Sequence, residues 1–352
     1  MQTDFTRMLG IDIPIIQAPM GGAAGPALAA AVCNAGGLGT LPLWAGSVDD
    51  LRRTVHDLMD RTSRPFAVNL NASKPQADRI AACVAEGVPA VSLFWGLSAD
   101  AISRAKAGRM VVMQTVGSAA EAKAAVEMGA DIIVAQGWEA GGHVDGSVAT
   151  MALVPAVVDA VGTIPVVAAG GIADGRGMAA ALALGASAGW IGTRFLAAQE
   201  AEIHPEYRRL LFAADETGTE RYDDLFDIGW PDAPHRVLRN STTAAWEAAG
   251  GPRSGTRPGE GEVVAESPTG GKVLRYACHT PRADLQGDIE ALSMWAGQGV
   301  GIVRRVMPAA EIVREIAEEA RAVASRTAEI FGRSDRNGPK AVEDWQDAEI
   351  TP

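Results

Sequence analysis

The 352 residues suffice for two average domains or for one barrel-sized domain with an appendage, and a hydrophobic fraction of 47% is ample for a large core. A formal net charge of -12 repels nucleic acid and anionic membrane surfaces at long range, so small molecules are the expected partners, with no nucleic acid and no membrane. Cys33, Cys83 and Cys278 form neither a disulfide framework nor a CxxC pair, the N-terminal MQTDFTRMLG lacks the apolar core of a signal peptide, and no run is long enough to span a bilayer; together these point to a soluble protein of a reducing cytoplasm with no bound metal.

Along the chain, short β-type runs alternate with longer Ala-rich stretches of helical period. IPIIQAP (13–19) precedes PALAAAVCNAG, GLGTLPL (37–43) precedes VDDLRRTVHDLMDR, PFAVNLN (65–71) precedes ADRIAACVAEG, and AVSLFWG (90–96) precedes ADAISRAKAG. The pattern continues with MVVMQTVG (110–117), DIIVAQG (131–137), IPVVAAGG (164–171) and AGWIGTRF (188–195), each followed by a helical segment. Eight such units in about 200 residues predict an α/β fold, a (β/α)8 TIM barrel over residues 1–204, and the continuously apolar strands suit a buried parallel sheet. A doubly wound open sheet is the competing architecture, but the even spacing shows no reversal point. An appended smaller subdomain, inserted after strand 8, is expected over 205–304, with the Gly- and Pro-rich 251–272 as a flexible loop whose role as a lid stays open. Residues 305–331 read as a helix returning to the barrel and 332–352 as an exposed tail.

Barrel chemistry sits where strands end, so those junctions are the places to search. QAPMGG (17–22) closes the first strand with Pro19 fixing the backbone beside two glycines, leaving room for a flat ring. Asn69, Gln114 and Gln136, at the third, fifth and sixth strand ends, offer amides suited to a polar heterocycle. AAGGIADGRG (168–177) and IGTRF (191–195) lead from glycine turns into helix starts, where backbone N–H groups can hold a phosphate. QGWEAGGHVDGS (136–147) leaves one imidazole, His143, among glycines just past the sixth strand, the first suspect for acid–base work near neutral pH. Glu139 beside it is a second candidate base, weighed against anchoring its turn. Trp95, Trp138 and Trp295 read either as walls of an apolar pocket or as core. His204, His235 and His279 read as structural or surface residues, with His235 facing the appended subdomain. Asp174 with Arg176 reads as a helix-start cap, and Cys33 as core.

QAPMGG, EAGGH, AAGGIADGRG, IGTRF and WAGQGVG, in that order over roughly residues 8–330, resemble the nitronate monooxygenase family, formerly called 2-nitropropane dioxygenases. The resemblance implies an FMN-containing barrel that oxidises alkyl nitronates with molecular oxygen to a carbonyl compound and nitrite. By matching position, Ala18, Pro19 and Met20 would line the flavin ring, and Asn69, Gln114 and Gln136 would bond its polar edge or ribityl chain. Gly141, Gly170, Gly171, Gly192 and Thr193 would hold its lower part and phosphate, Gln298 would reach the site through AGQG, and His143 matches the family's active-site histidine. Many relatives carry Lys where Gln114 stands and Asp where Gln136 stands. EAGGH is shared with FMN-dependent enoyl-acyl-carrier-protein reductases and NADH:quinone reductases, so NAD(P)H-dependent reduction of quinones or enoyl thioesters is the alternative, and a flavin-retaining sensor or assembly partner a further one. The expected partners are an alkyl nitronate and oxygen, and a homodimer is compatible with the pattern.

Overall fold

The computed structural model describes residues 1–332, so the tail expected from 332 onward lies outside the described residues beyond Gly332. Eight parallel strands, Ile15–Gln17, Gly39–Pro42, Phe66–Asn71, Ala90–Phe94, Val111–Val116, Ile132–Gln136, Val166–Ala169 and Ala188–Ile191, pair in chain order. The ends of the sheet meet through an Ile16–Leu38 bridge, in which Gln17 N–H donates to Leu38 O at 3.0 Å and Leu38 N–H to Ile15 O at 2.9 Å. The sheet is therefore closed, and the fold is a (β/α)8 barrel.

Helices fill the spaces between strands, and their starts are written locally. Ser47 and Asp50 form a reciprocal capping box before Val48–Arg61, while Ser98, Ser118 and Asp174 each accept from the first turn of their helices. Ile16, Ala67, Ala90, Met113, Ile132, Val134, Val167 and Ala188 pack inside the barrel, and Phe5 and Leu9 of the N-terminal helix Asp4–Leu9 join the same cluster. The opposite end, where the strands finish, is left for a cavity.

The returning helix, Ala309–Gly332, buries Ile312, Val313, Ile316, Ala317 and Ala320 against the helices Gly175–Ala183 and Pro26–Asn34. The region after residue 204 is continuous with the barrel. Its strand His235–Leu238 pairs antiparallel with Thr219–Tyr222 on one side and, on the other, with Gly142–His143 from the loop after the sixth barrel strand.

The stretch 251–272, expected to be a flexible loop, contains a strand and a buried ion-pair cluster. Val263–Glu266 pairs with Lys272–Leu274 and Gln286–Gly287, and the buried Arg257 guanidinium donates to Asp227 Oδ1 at 2.8 Å, Glu260 Oε1 at 2.6 Å and Leu225 O at 2.9 Å. Charge pairing substitutes here for the apolar burial that the composition lacks. Among the described residues, no helix is long and apolar enough to cross a membrane.

Candidate active site

The strand ends surround a cavity of about 450 Å³, within the ordinary range for small-molecule sites. Strand alternation decides which side chains reach it. Asn69 follows Ala67 onto the inner face, Gln136 follows Ile132 and Val134, and both line the cavity with Ala18, Pro19, Met20, Gly141, His143, Gly170, Gly171, Gly192 and Thr193.

Gln114 does not line the cavity. Met113 and Thr115 take the inner face of its strand, and Gln114 turns outward, donating through Nε2 to Gly96 O at 3.1 Å and Thr115 O at 3.0 Å. A one-residue change of parity moves a side chain to the other face, which is why the amide counted at this strand end is misplaced. Gln298 is likewise absent from the wall. Its flanking Gly297 and Gly299 line the cavity, while its own backbone N–H donates to Glu139 O at 3.0 Å.

His143 owes its place to the backbone around it. A Cβ at Gly141 would sit 2.4 Å from Gly297 N, so the loop after the sixth strand packs directly on the 296–297 segment. Gln136 Nε2 donates to His143 O at 3.2 Å and ties the loop to its parent strand. Glu139 anchors the turn: its Oε2 accepts from Thr150 N–H and Thr150 Oγ1, both at 2.9 Å, at the start of the helix Thr150–Val161. Trp138 turns away from the cavity beneath the guanidinium groups of Arg221 and Arg236, whose Cζ atoms lie 4.8 and 5.5 Å from its ring centroid.

The bulky groups missing from the histidine's own sequence arrive from elsewhere. Trp230 stacks on the imidazole at 4.0 Å, Trp295 lies tilted at 5.1 Å, Trp95 meets it edge-on at 5.7 Å, and Cys278 Sγ is 3.8 Å from Nε2. His235, also 5.7 Å away, is fully buried, its ring nitrogens occupied by Phe226 N–H at 3.1 Å and Ala233 O at 2.8 Å. Burial, reinforced by His235, pushes the His143 imidazole down to about 3. That direction favours the neutral imidazole, against the expectation of titration near neutrality. Burial also holds the Cys278 sulfur as a thiol, up at about 11. Trp44, Trp230 and Cys278 are wall residues that sequence reasoning passed over.

Asn69 Nδ2 donates to Ser92 O and Ser92 Oγ, leaving Oδ1 buried without a partner among the described residues. Gly170 and Gly171 both have positive φ, +105° and +71°. The helix start after them is not open to an anion: Gly175 N–H donates to Glu319 Oε2 at 2.7 Å, and Arg176 and Gly177 N–H donate to Asp174 Oδ1 at 2.9 and 3.1 Å. The cap read at Asp174 is present, and it spends the donors that a phosphate would have used. Among the described residues, the lining includes no Asp, Glu or Lys, and Arg282 is its one permanent cation. Despite the acidic chain, the cavity itself carries no negative charge. His279 also lines it, whereas His204 caps the helix Pro205–Ala213 by accepting from Glu206 N–H at 3.1 Å.

A family model described as nitronate monooxygenase matches residues 2–84 and 73–319. A nitronate monooxygenase of Paraburkholderia phytofirmans is 34% identical over 360 residues, covering 89% of this chain and 93% of the relative. The (3aS,4S,5R,7aS)-5-hydroxy-7a-methyl-1-oxo-octahydro-1H-indene-4-carboxyl-CoA dehydrogenase of Rhodococcus jostii is 38% identical over 257 residues, 72% of this chain and 70% of the relative. Among solved structures, FabK of Thermotoga maritima superposes with a TM-score of 0.78 at 31% identity, covering 94% of this chain and 99% of its own. With the model spanning almost all described residues and a namesake relative matched over nearly its whole length, the chain belongs to the nitronate monooxygenase family of oxidoreductases.

Proposed function

We propose that the protein binds FMN and uses oxygen to oxidise alkyl nitronates, and nitroalkanes deprotonated within the site, to a carbonyl compound and nitrite. The observation that carries this reading is the neutral imidazole of His143 facing a cavity that also presents an unpartnered buried acceptor, Asn69 Oδ1. The donor set suits a flavin. Asn69 Oδ1 would accept from a ring N–H, and the backbone from Ala18 to Met20 would flank the ring. The turns Gly170–Gly171 and Gly192–Thr193 would take the phosphate-bearing end. Bound FMN supplies the electron acceptor, with oxygen as final oxidant.

The chain's own groups do the rest. Neutral His143 accepts the α-proton of a nitroalkane at a ring nitrogen, and Gln136 holds its backbone in place. Trp230 and Trp295 keep water from the imidazole. A cavity without carboxylates takes in an anionic nitronate without like-charge repulsion.

The test is to denature the purified protein, identify any released chromophore by mass, and follow nitrite release and oxygen uptake with ethyl nitronate. FMN and nitrite together support the reading; FAD, no flavin, or no nitrite from the flavin-loaded protein sinks it. NAD(P)H-dependent reduction of quinones or enoyl thioesters is a second reading, kept open because a relative 38% identical is named a carboxyl-CoA dehydrogenase rather than a monooxygenase. Rapid anaerobic oxidation of NADH or NADPH by the holoprotein would select it.

A further inference from the structure

We propose that the aromatic cage around His143 selects nitronates bearing a flat aryl group on the reacting carbon, with Trp230 as the specificity-determining residue; this rests on the nitronate-oxidising reading above. The cage is a continuous run of rings. Trp44 meets Phe94 edge-on at 5.2 Å, Phe94 meets Trp230 at 5.8 Å, Trp230 meets Trp95 at 5.2 Å, and Trp230 in turn stacks on His143. Trp44, Phe94 and Trp230 line the same cavity as His143, so a substrate whose reacting carbon lies beside the imidazole places its substituent against indole and phenyl faces.

The Thr280 hydroxyl beside Trp295 is already committed. Thr280 Oγ1 accepts from Trp295 Nε1 at 3.0 Å and donates to Gly21 O at 2.6 Å. A hydroxyl placed against the Trp44, Phe94 and Trp230 faces would find no partner in Thr280, while an aryl ring gains offset or edge contacts there.

Within this run of rings, Trp44, Phe94, Trp95 and Trp230, the last is the one brought by the appended region. It sits on a turn closed by its own N–H donating to Asp227 O at 3.0 Å, with Gly229 at φ +100° and the Asp227 carboxylate held by Arg257. Trp95, behind it, adopts φ +63°, a conformation rare for a bulky residue, and so spends backbone strain to hold its ring against Trp230 and His143.

The experiment uses the flavin-loaded enzyme with two nitronates, from phenylnitromethane and from nitroethane, and two carboxylates that imitate them without reacting, phenylacetate and propionate, titrated by calorimetry. Wild type is expected to favour the aryl member of each pair by about tenfold or more, Trp230→Ala to lose most of that preference, and Trp230→Phe to keep it. A wild-type preference at or below unity overturns the assignment, as does an unchanged preference in Trp230→Ala; Trp230→Leu replaces the alanine variant if that one fails to fold. Selective binding of phenylacetate with turnover of neither nitronate would sink the oxidation reading and leave the cage standing. Turnover of ethyl nitronate at a rate equal to or above the aryl substrate would sink the cage alone.

Discussion

His143 and His235 stand opposite each other across an antiparallel ladder, their imidazoles 5.7 Å apart in an interior otherwise walled by tryptophan and phenylalanine. Neither can charge cheaply there without an anion beside it, such as the nitronate that proton abstraction would leave next to His143: burial lowers both, His143 to about 3. A histidine whose folded value lies below its unfolded value of about 6.5 contributes stability that is complete above the unfolded value and is lost as pH falls toward the folded one. The protein should therefore lose stability from pH 7 to pH 5, by at most about 1.4 kcal/mol per pH unit from His143. Thermal unfolding of wild type and His143→Gln at pH 7, 6 and 5 checks this, because the variant should show a shallower decline. Equal slopes would mean that the imidazole titrates normally.

The same neutrality bears on the base role proposed for His143. Nitroalkanes arrive with their α-proton and preformed nitronates do not, so removal of the base should separate the two. His143→Asn is expected to retain flavin and to lose roughly two to four decades on nitroethane, with a much smaller loss on ethyl nitronate. Wild type should show no acid limb near pH 6–7 arising from this residue. Parallel losses on both substrates, or near-wild-type rates on both, would remove the base role.

Glu139 lies in the same loop yet is committed elsewhere, its carboxylate accepting from Thr150 N–H and Oγ1. Glu139→Gln keeps an acceptor for the helix start, and kcat on nitroethane should stay within about twofold of wild type. Glu139→Ala removes the cap and should cost about 0.5–2 kcal/mol of stability by chemical denaturation. A large kcat loss in the glutamine variant, with stability intact, would transfer the base assignment from His143 to Glu139.

The barrel was legible because each strand is a short apolar run between Ala-rich helical stretches, and this repeats at even intervals. Cavity-lining groups were legible where an amide stands at a strand end, as at Asn69 and Gln136. In VVMQTV both faces are nearly apolar, so the pattern cannot reveal that Met113 and Thr115, rather than Gln114, point inward. The cage was hidden for a different reason. Trp44, Trp230 and Cys278 come from three loops far apart in the chain, and no local period links them to His143. Arg257 was invisible in the same way, since its ion pair with Asp227 spans 30 positions within a segment whose composition alone argues for mobility.

Gly170 and Gly171 share a left-handed backbone but not the same surroundings, and that difference separates fold from cofactor. A Cβ at Gly170 would meet Thr150 Oγ1 at 2.9 Å, Gly137 O at 3.0 Å and Ala140 N at 3.2 Å, so any side chain there disturbs the loop that carries His143. At Gly171 the nearest atom is Glu139 Cβ at 3.7 Å, which leaves room for a side chain beside the cavity. Asparagine tolerates positive φ better than most residues, whereas leucine adds backbone strain of about 1–2 kcal/mol as well as bulk. If the phosphate end of FMN rests on this turn, Gly171→Asn should remain folded with modestly weakened FMN binding, and Gly171→Leu should lose at least tenfold in affinity beyond what its fall in stability explains. The measurement is FMN titration of the apoprotein by flavin fluorescence quenching, alongside thermal unfolding of each flavin-free variant. Wild-type affinity in a folded Gly171→Leu would place the phosphate elsewhere and leave the Gly192–Thr193 turn as the remaining candidate.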